Sequence, residues 1–200
     1  MSDKSSPTRG RAAAAAVFAV ALPLFFCARA IAADPQVCAA CHGPEGNSVI
    51  PANPSIAAQP AQSITLQLFQ FREGNRKDPQ MTPMAANLSN QEMNELAAYF
   101  SKQKAATPSH KTTPENAAAG PKLARRFNCV QCHGPALLGL QHIPRLAGQQ
   151  FEYLRTQLRG FKAHTRADLD GNMTAAAEVL SENDVEILAD YLSGLTPSRD

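Results

Sequence analysis

CAACHGP at residues 38–44 and CVQCHGP at residues 129–135 are the two stretches on which the reading turns. Each sets two cysteines three positions apart and follows the second with a histidine. Together they hold Cys38, Cys41, Cys129 and Cys132, four of the five cysteines in this chain of 200 residues. Cys-x-x-Cys-His is the pattern of c-type haem attachment. Its spacing has a mechanical reason. On one helical turn, two thiols so placed reach the two vinyl groups of one haem, and the next residue brings an imidazole beneath the iron. A first haem is therefore expected on Cys38 and Cys41 with His42 as iron ligand. A second is expected on Cys129 and Cys132 with His133.

Outward from these motifs the chain repeats itself. NPSIAAQ (53–59) returns as IPRLAGQ (143–149), and LQLFQFREGNRKD (66–78) as TQLRGFKAHTRAD (156–168). LSNQEMNELAAYF (88–100) returns as LSENDVEILADYL (180–192). The offset stays between 90 and 92 residues, the mark of a duplicated unit. Residues 34–103 and 119–200 are read as two copies of one small domain. Residues 104–118, rich in Pro, Thr, Lys and Ala, are read as an extended linker. Units this small need a staple or a cofactor to complete a core, and a large apolar group would serve.

The periodicity is helical and no segment reads as a strand. Ile64, Leu68 and Phe71 share one stripe, as do Phe151, Leu154, Leu158 and Phe161. The last helix of each half opens on a capping box, Ser89 with Glu92 and Ser181 with Asp184. Behind those caps, Met93, Leu96, Ala97 and Phe100 face one way, as do Val185, Leu188, Ala189 and Leu192. The fold class is all-α.

The repeat also selects a second iron ligand. Met81 and Met173 each stand eight residues before their helix cap, in the polar stretches KDPQMTP and LDGNMTA, read as loops. A thioether is a soft ligand suited to haem iron, and His/Met ligation raises the potential. Met84 is the rival to Met81, but Ala176 occupies the matching place in the second half. His164 is the rival to Met173. Pro54 and Pro144 follow the two ligand histidines by 12 and 11 residues, and their carbonyls are candidate acceptors for the imidazole N–H. His110 falls in the linker and is read as solvated, and Lys122, Arg125 and Arg126 as a solvated basic face or a docking patch. A thioredoxin-like motif would need a strand–helix–strand setting. A zinc site would leave the repeated histidine unexplained, across a gap far longer than such sites use.

Residues 1–33 have the order of a secretory signal: Lys4, Arg9 and Arg11, an apolar run broken by Pro23, and small residues around Ala30 and Ala32. They hold four basic residues and one acidic one. The remainder has a formal charge of −1, which argues against nucleic-acid binding. If the leader were retained, it would associate the protein with a membrane.

With the CAACH and CVQCH motifs, Met81, Met173 and the LS-capped final helices in place, the chain resembles the cytochrome c4 family over residues 36–195. The resemblance implies two cytochrome c folds joined by a linker, two covalent haem c groups close together, and one electron carried per haem. It implies a periplasmic electron carrier rather than an enzyme, with a membrane oxidase or a dehydrogenase as redox partner. Haem subunit of a periplasmic dehydrogenase is the alternative within that class. An enzyme or sensor with one open haem is the alternative outside it. One departure stands out. The family has a helix before each CxxCH, which ENAAAGPKLARRFNC supplies in the second half, while only residues 34–37 separate the first motif from the expected cleavage.

Overall fold

The computed structural model describes Met1 and residues 33–198. The signal segment expected at residues 1–33 therefore lies almost wholly outside the described residues. Among those described there are helices, one short 3₁₀ turn and a single bridge between Leu140 and Ile143. The first half has α1 (Pro35–His42), α2 (Ala61–Arg72), α3 (Met81–Ala85) and α4 (Asn90–Lys102). The second has α5 (Pro114–Arg126), α6 (Cys129–His133), α7 (Phe151–Lys162), α8 (Asn172–Glu178) and α9 (Glu182–Gly194). The order after α5 repeats that of the first half.

The final helices begin where the caps dictate. Ser89 Oγ accepts the Glu92 N–H and the Glu92 carboxylate accepts the Ser89 N–H, and Ser181 with Asp184 does the same. The stripes behind those caps are buried in full: Met93, Leu96, Ala97 and Phe100 on α4, and Val185, Leu188, Ala189 and Leu192 on α9. Helix α2 packs on α4 and brings Ile64 into the first core. Helix α7 packs on α9 and brings Leu154 and Phe161 into the second. Truncating a side chain buried as deeply as Phe100 costs about 3–5 kcal/mol.

Two expectations need correction. The stretch read as linker is not extended throughout, because α5 starts at Pro114, capped by Thr113, whose side chain accepts the Asn116 N–H. Proline at the first helical position hides the sequence signal, since it starts a helix as readily as it marks a loop. Nor is His110 solvated. Its ring stacks on Phe151 with centroids 5.2 Å apart, and its Nε2 lies 2.5 Å from Asp190 Oδ1.

Helix α5 crosses α9 closely enough to require glycine. A Cβ at Gly120 would lie 2.2 Å from Cγ of Tyr191. The two halves belong to one compact unit and meet through polar contacts from the NPSIAAQ and IPRLAGQ segments. There Arg145 is 2% exposed, donates to the carbonyls of Ala57 and Ala147, and leaves its Nε unpaired. Burial lowers its pKa to about 10.

Candidate functional site

Each Cys-x-x-Cys-His motif is helical, in α1 and α6. Asp34 caps α1 by accepting the Gln36 N–H. The second helix starts from Asn128 in a left-handed conformation, φ 58°. Cys38 and Cys129 are half-buried, Cys41 and Cys132 are exposed, and none of the four forms a disulfide. Burial pushes the Cys38 thiol above its ordinary value, with Asp34 adding to the effect, and burial does the same to Cys129. Both motif helices end at a glycine with positive φ, Gly43 and Gly134. At Gly43 a side chain is barred outright, since a Cβ would lie 2.0 Å from the Asn47 carbonyl oxygen.

The histidines are the most constrained groups of the site. His42 is 7% exposed and His133 is 3% exposed. His42 Nδ1 lies 2.8 Å from the Pro54 carbonyl oxygen, and His133 Nδ1 lies 2.7 Å from that of Pro144. A carbonyl only accepts, so Nδ1 carries the proton in both rings and Nε2 keeps its lone pair. Burial lowers the pKa of both imidazoles, against a smaller opposing effect of the carbonyl bond. Each ring is thereby held neutral, in the tautomer a metal needs.

Met81 and Met173 do not lie in loops. Met81 is the first residue of α3 and Met173 the second of α8. Both are half-buried. The Met81 N–H donates to Asp78 Oδ1 at 2.9 Å, and the Met173 N–H donates to Asp168 Oδ2 at 2.8 Å. These aspartates occupy equivalent places in the repeat and fix the entry into each short helix. Hydrogen bonds from Met173, Thr174 and Asp170 hold the Asp168 carboxyl below its ordinary range, although burial alone would raise it. Sequence reasoning passed over both, though their common offset of 90 residues was there to be read.

The rival candidates, Met84 and His164, are both exposed. Met84 is 49% exposed. His164 reaches the Glu178 carboxylate at 3.4 Å with 60% of its side chain exposed. No three His, Cys, Asp or Glu side chains gather into a metal cage among the described residues. Lys122, Arg125 and Arg126 lie exposed on α5.

Known proteins match this arrangement. Residues 29–104 fit the family model described as Cytochrome c, and residues 115–192 the one described as Cytochrome C oxidase, cbb3-type, subunit III. The cytochrome c4 of Thiocapsa roseopersicina is 40% identical over 171 residues, 80% of this chain and 88% of that protein. The chain belongs to the cytochrome c4 family. A crystal structure of reduced recombinant cytochrome c4 from Pseudomonas stutzeri superposes with a TM-score of 0.74 at 34% identity, over 80% of this chain and 93% of that one. The thiosulfate dehydrogenase electron acceptor of Stutzerimonas stutzeri (strain A1501) is 35% identical, over 80% of this chain and 79% of the relative. As in cytochrome c4, the architecture is two cytochrome c domains in tandem, and the chain is a two-haem c-type electron carrier with two covalent haem c groups.

The residues present fit those groups. In each half two thiols stand on one helical turn, beside a neutral imidazole whose Nε2 is free to bind iron. A methionine stands at the start of a short helix, its backbone N–H held by an aspartate.

Proposed function

We propose that Cys38 and Cys41 hold the first haem with His42 and Met81 as iron ligands, and that Cys129 and Cys132 hold the second with His133 and Met173. Residues 34–103 and 119–200 would then be the two haem-bearing domains, with residues 104–118 between them. The observation that carries the reading is the pair of Nδ1–H bonds to Pro54 and Pro144, at 2.8 and 2.7 Å. A bound haem c supplies a one-electron couple at its iron. The chain's own residues do the rest. The Pro54 and Pro144 carbonyls orient the imidazoles and fix the proton on Nδ1, and burial keeps the rings neutral so that Nε2 retains its lone pair. The cysteines would anchor the haems, and Cys38 and Cys129 pack against the cores that hold the buried stripes of α4 and α9. Two thioethers would close both irons, which suits electron transfer rather than substrate activation.

The carrier works outside the cytoplasm, exported by residues 1–33, and passes electrons singly between a dehydrogenase and a terminal acceptor such as a membrane oxidase. The relative named a thiosulfate dehydrogenase electron acceptor supports a dehydrogenase as donor. No helix among the described residues is long and apolar enough to cross a membrane.

The test is the visible spectrum of the reduced holoprotein with and without carbon monoxide. An unchanged spectrum is expected. A shift in half of the haem absorbance would mean one open iron and would overturn one methionine assignment. Mass spectrometry of the mature protein from its native host checks export by finding the N-terminus near residue 34.

A further inference from the structure

Two glutamines join the halves in the same way. Gln149, 4% exposed, accepts the Ser55 N–H on Oε1 at 2.7 Å and donates from Nε2 to the Ser55 carbonyl at 2.9 Å. Gln59, 7% exposed, accepts the Arg145 N–H at 2.8 Å and donates to the Arg145 carbonyl at 3.0 Å. Gln59 and Gln149 are equivalent in the repeat, as are Ser55 and Arg145. The exchange is therefore reciprocal, each half clamping one residue of the other.

The position of the clamp gives it a second consequence. The Ser55 N–H belongs to the same peptide unit as the Pro54 carbonyl, which accepts from His42. The Arg145 N–H belongs to the same unit as the Pro144 carbonyl, which accepts from His133. Each unit is thus the middle of a chain that runs from imidazole Nδ1–H to C=O, and from N–H to Gln Oε1. Amide resonance ties the two ends together. Drawing on the N–H places more negative charge on the oxygen, and hydrogen bonds in such chains strengthen one another. A stronger acceptor at Nδ1 makes the ligating imidazole more basic.

We propose that Gln149 tunes the iron ligand His42, and Gln59 the iron ligand His133, each through the peptide unit behind the imidazole of the opposite half. This rests on the reading of both histidines as ligands. The glutamines are positioning residues and touch neither iron nor imidazole. The sign follows directly. A more basic imidazole favours the oxidised iron, so each glutamine lowers the potential of the haem in the other half. A state of docking between the halves is thereby written into both potentials. Gln149 Oε1 also accepts the Gln150 N–H at 2.9 Å, and that bond is local to the second half.

The experiment is an NMR-monitored redox titration of the holoprotein and of two variants, reading the haem methyl signals of each domain separately. In Gln149→Met the ratio of reduced to oxidised first-domain haem at a fixed potential is expected to rise about two- to threefold, with the second-domain haem unmoved. By the one-electron constant of 59 mV per tenfold, that is about 20–30 mV. Gln59→Met is expected to show the mirror image. The His42 Nδ1 proton of the reduced Gln149→Met variant should also move upfield, as a weaker hydrogen bond requires. Gln149→Asn, too short to reach Ser55, replaces Gln149→Met if the latter takes up no haem, with the same expected direction. Shifts confined to the haem of the mutated half, equal shifts in both, or none would overturn the proposal. Paramagnetically shifted imidazole signals in the oxidised wild type separate the two levels. If they are missing, the ligand reading itself falls. If they are present and the potentials do not cross over, this inference alone falls.

Discussion

Asp190 holds His110 across 80 residues of chain, with Oδ1 at 2.5 Å from the imidazole Nε2. The same carboxylate accepts the Thr113 N–H at 3.1 Å and Asn116 Nδ2 at 2.8 Å. One side chain of α9 therefore pins both the connecting segment and the start of α5. The first half has Ala98 at the matching place, so the device belongs to the second half alone.

Asp190→Ala should cost about 2–4 kcal/mol, because it leaves several donors of a partly buried site without their charged acceptor. Chemical denaturation of the holoprotein measures it. The spectrum of the native state should be unchanged, since the Asp190 carboxylate bonds to His110, Thr113 and Asn116 and to no proposed ligand.

Acid should weaken the same anchor. Burial alone would raise the Asp190 pKa, but hydrogen bonds from His110, Asn116 and Thr113 outweigh it and hold the carboxyl below its ordinary value. A carboxylate depressed in the folded state contributes stability in full above the unfolded value of about 3.9. That contribution fades as pH falls through the folded value. Denaturation midpoints should therefore drop below about pH 5 in the wild type, and less steeply in Asp190→Asn. Equal slopes in the two proteins would remove Asp190 from the account.

Met81→Ala should open the first iron and leave the second closed. Carbon monoxide would then shift about half of the reduced haem absorbance, as expected for one ligand lost of two. Met84→Ala should leave the spectrum as it is, because Met84 is 49% exposed. The reverse pattern would reassign the ligand.

Gly43→Ala should destabilise far more than Gly74→Ala. Both glycines have positive φ, 77° and 73°, so each substitution meets a backbone penalty of about 1–2 kcal/mol. Only Gly43 adds a collision, with the Asn47 carbonyl, whereas nothing lies within 4 Å of a Cβ at Gly74. Denaturant titration of the two variants would show whether the turn behind the first motif is as tight as this.

Ser89→Ala and Ser181→Ala each remove a capping hydroxyl and should cost about 1 kcal/mol, nearly additively because the caps lie on separate helices. A double variant measured by thermal unfolding tests the additivity.

Much of this protein was legible from residues alone, because covalent chemistry and local periodicity are properties of short stretches. Cys38, Cys41 and His42 declare themselves by spacing, Ser89 and Ser181 by their partners three residues on, and the stripes of α4 and α9 by period. The repeat carried each reading from one half to the other. Where the readings failed, local cues were ambiguous. Pro114 can open a helix or mark a loop. A polar stretch around Met81 or Met173 conceals a helix of only 5 or 7 residues, too short for periodicity to register. His110, polar and among prolines and threonines, carries no local sign that Phe151 and Asp190 will enclose it. Tertiary structure alone decided what meets across long gaps: Gln149 with Ser55, Gln59 with Arg145, Asp190 with His110. A hydrogen bond depends on where two atoms come to rest after the helices have packed. For residues 94 apart, such as Ser55 and Gln149, only the packed fold sets that distance.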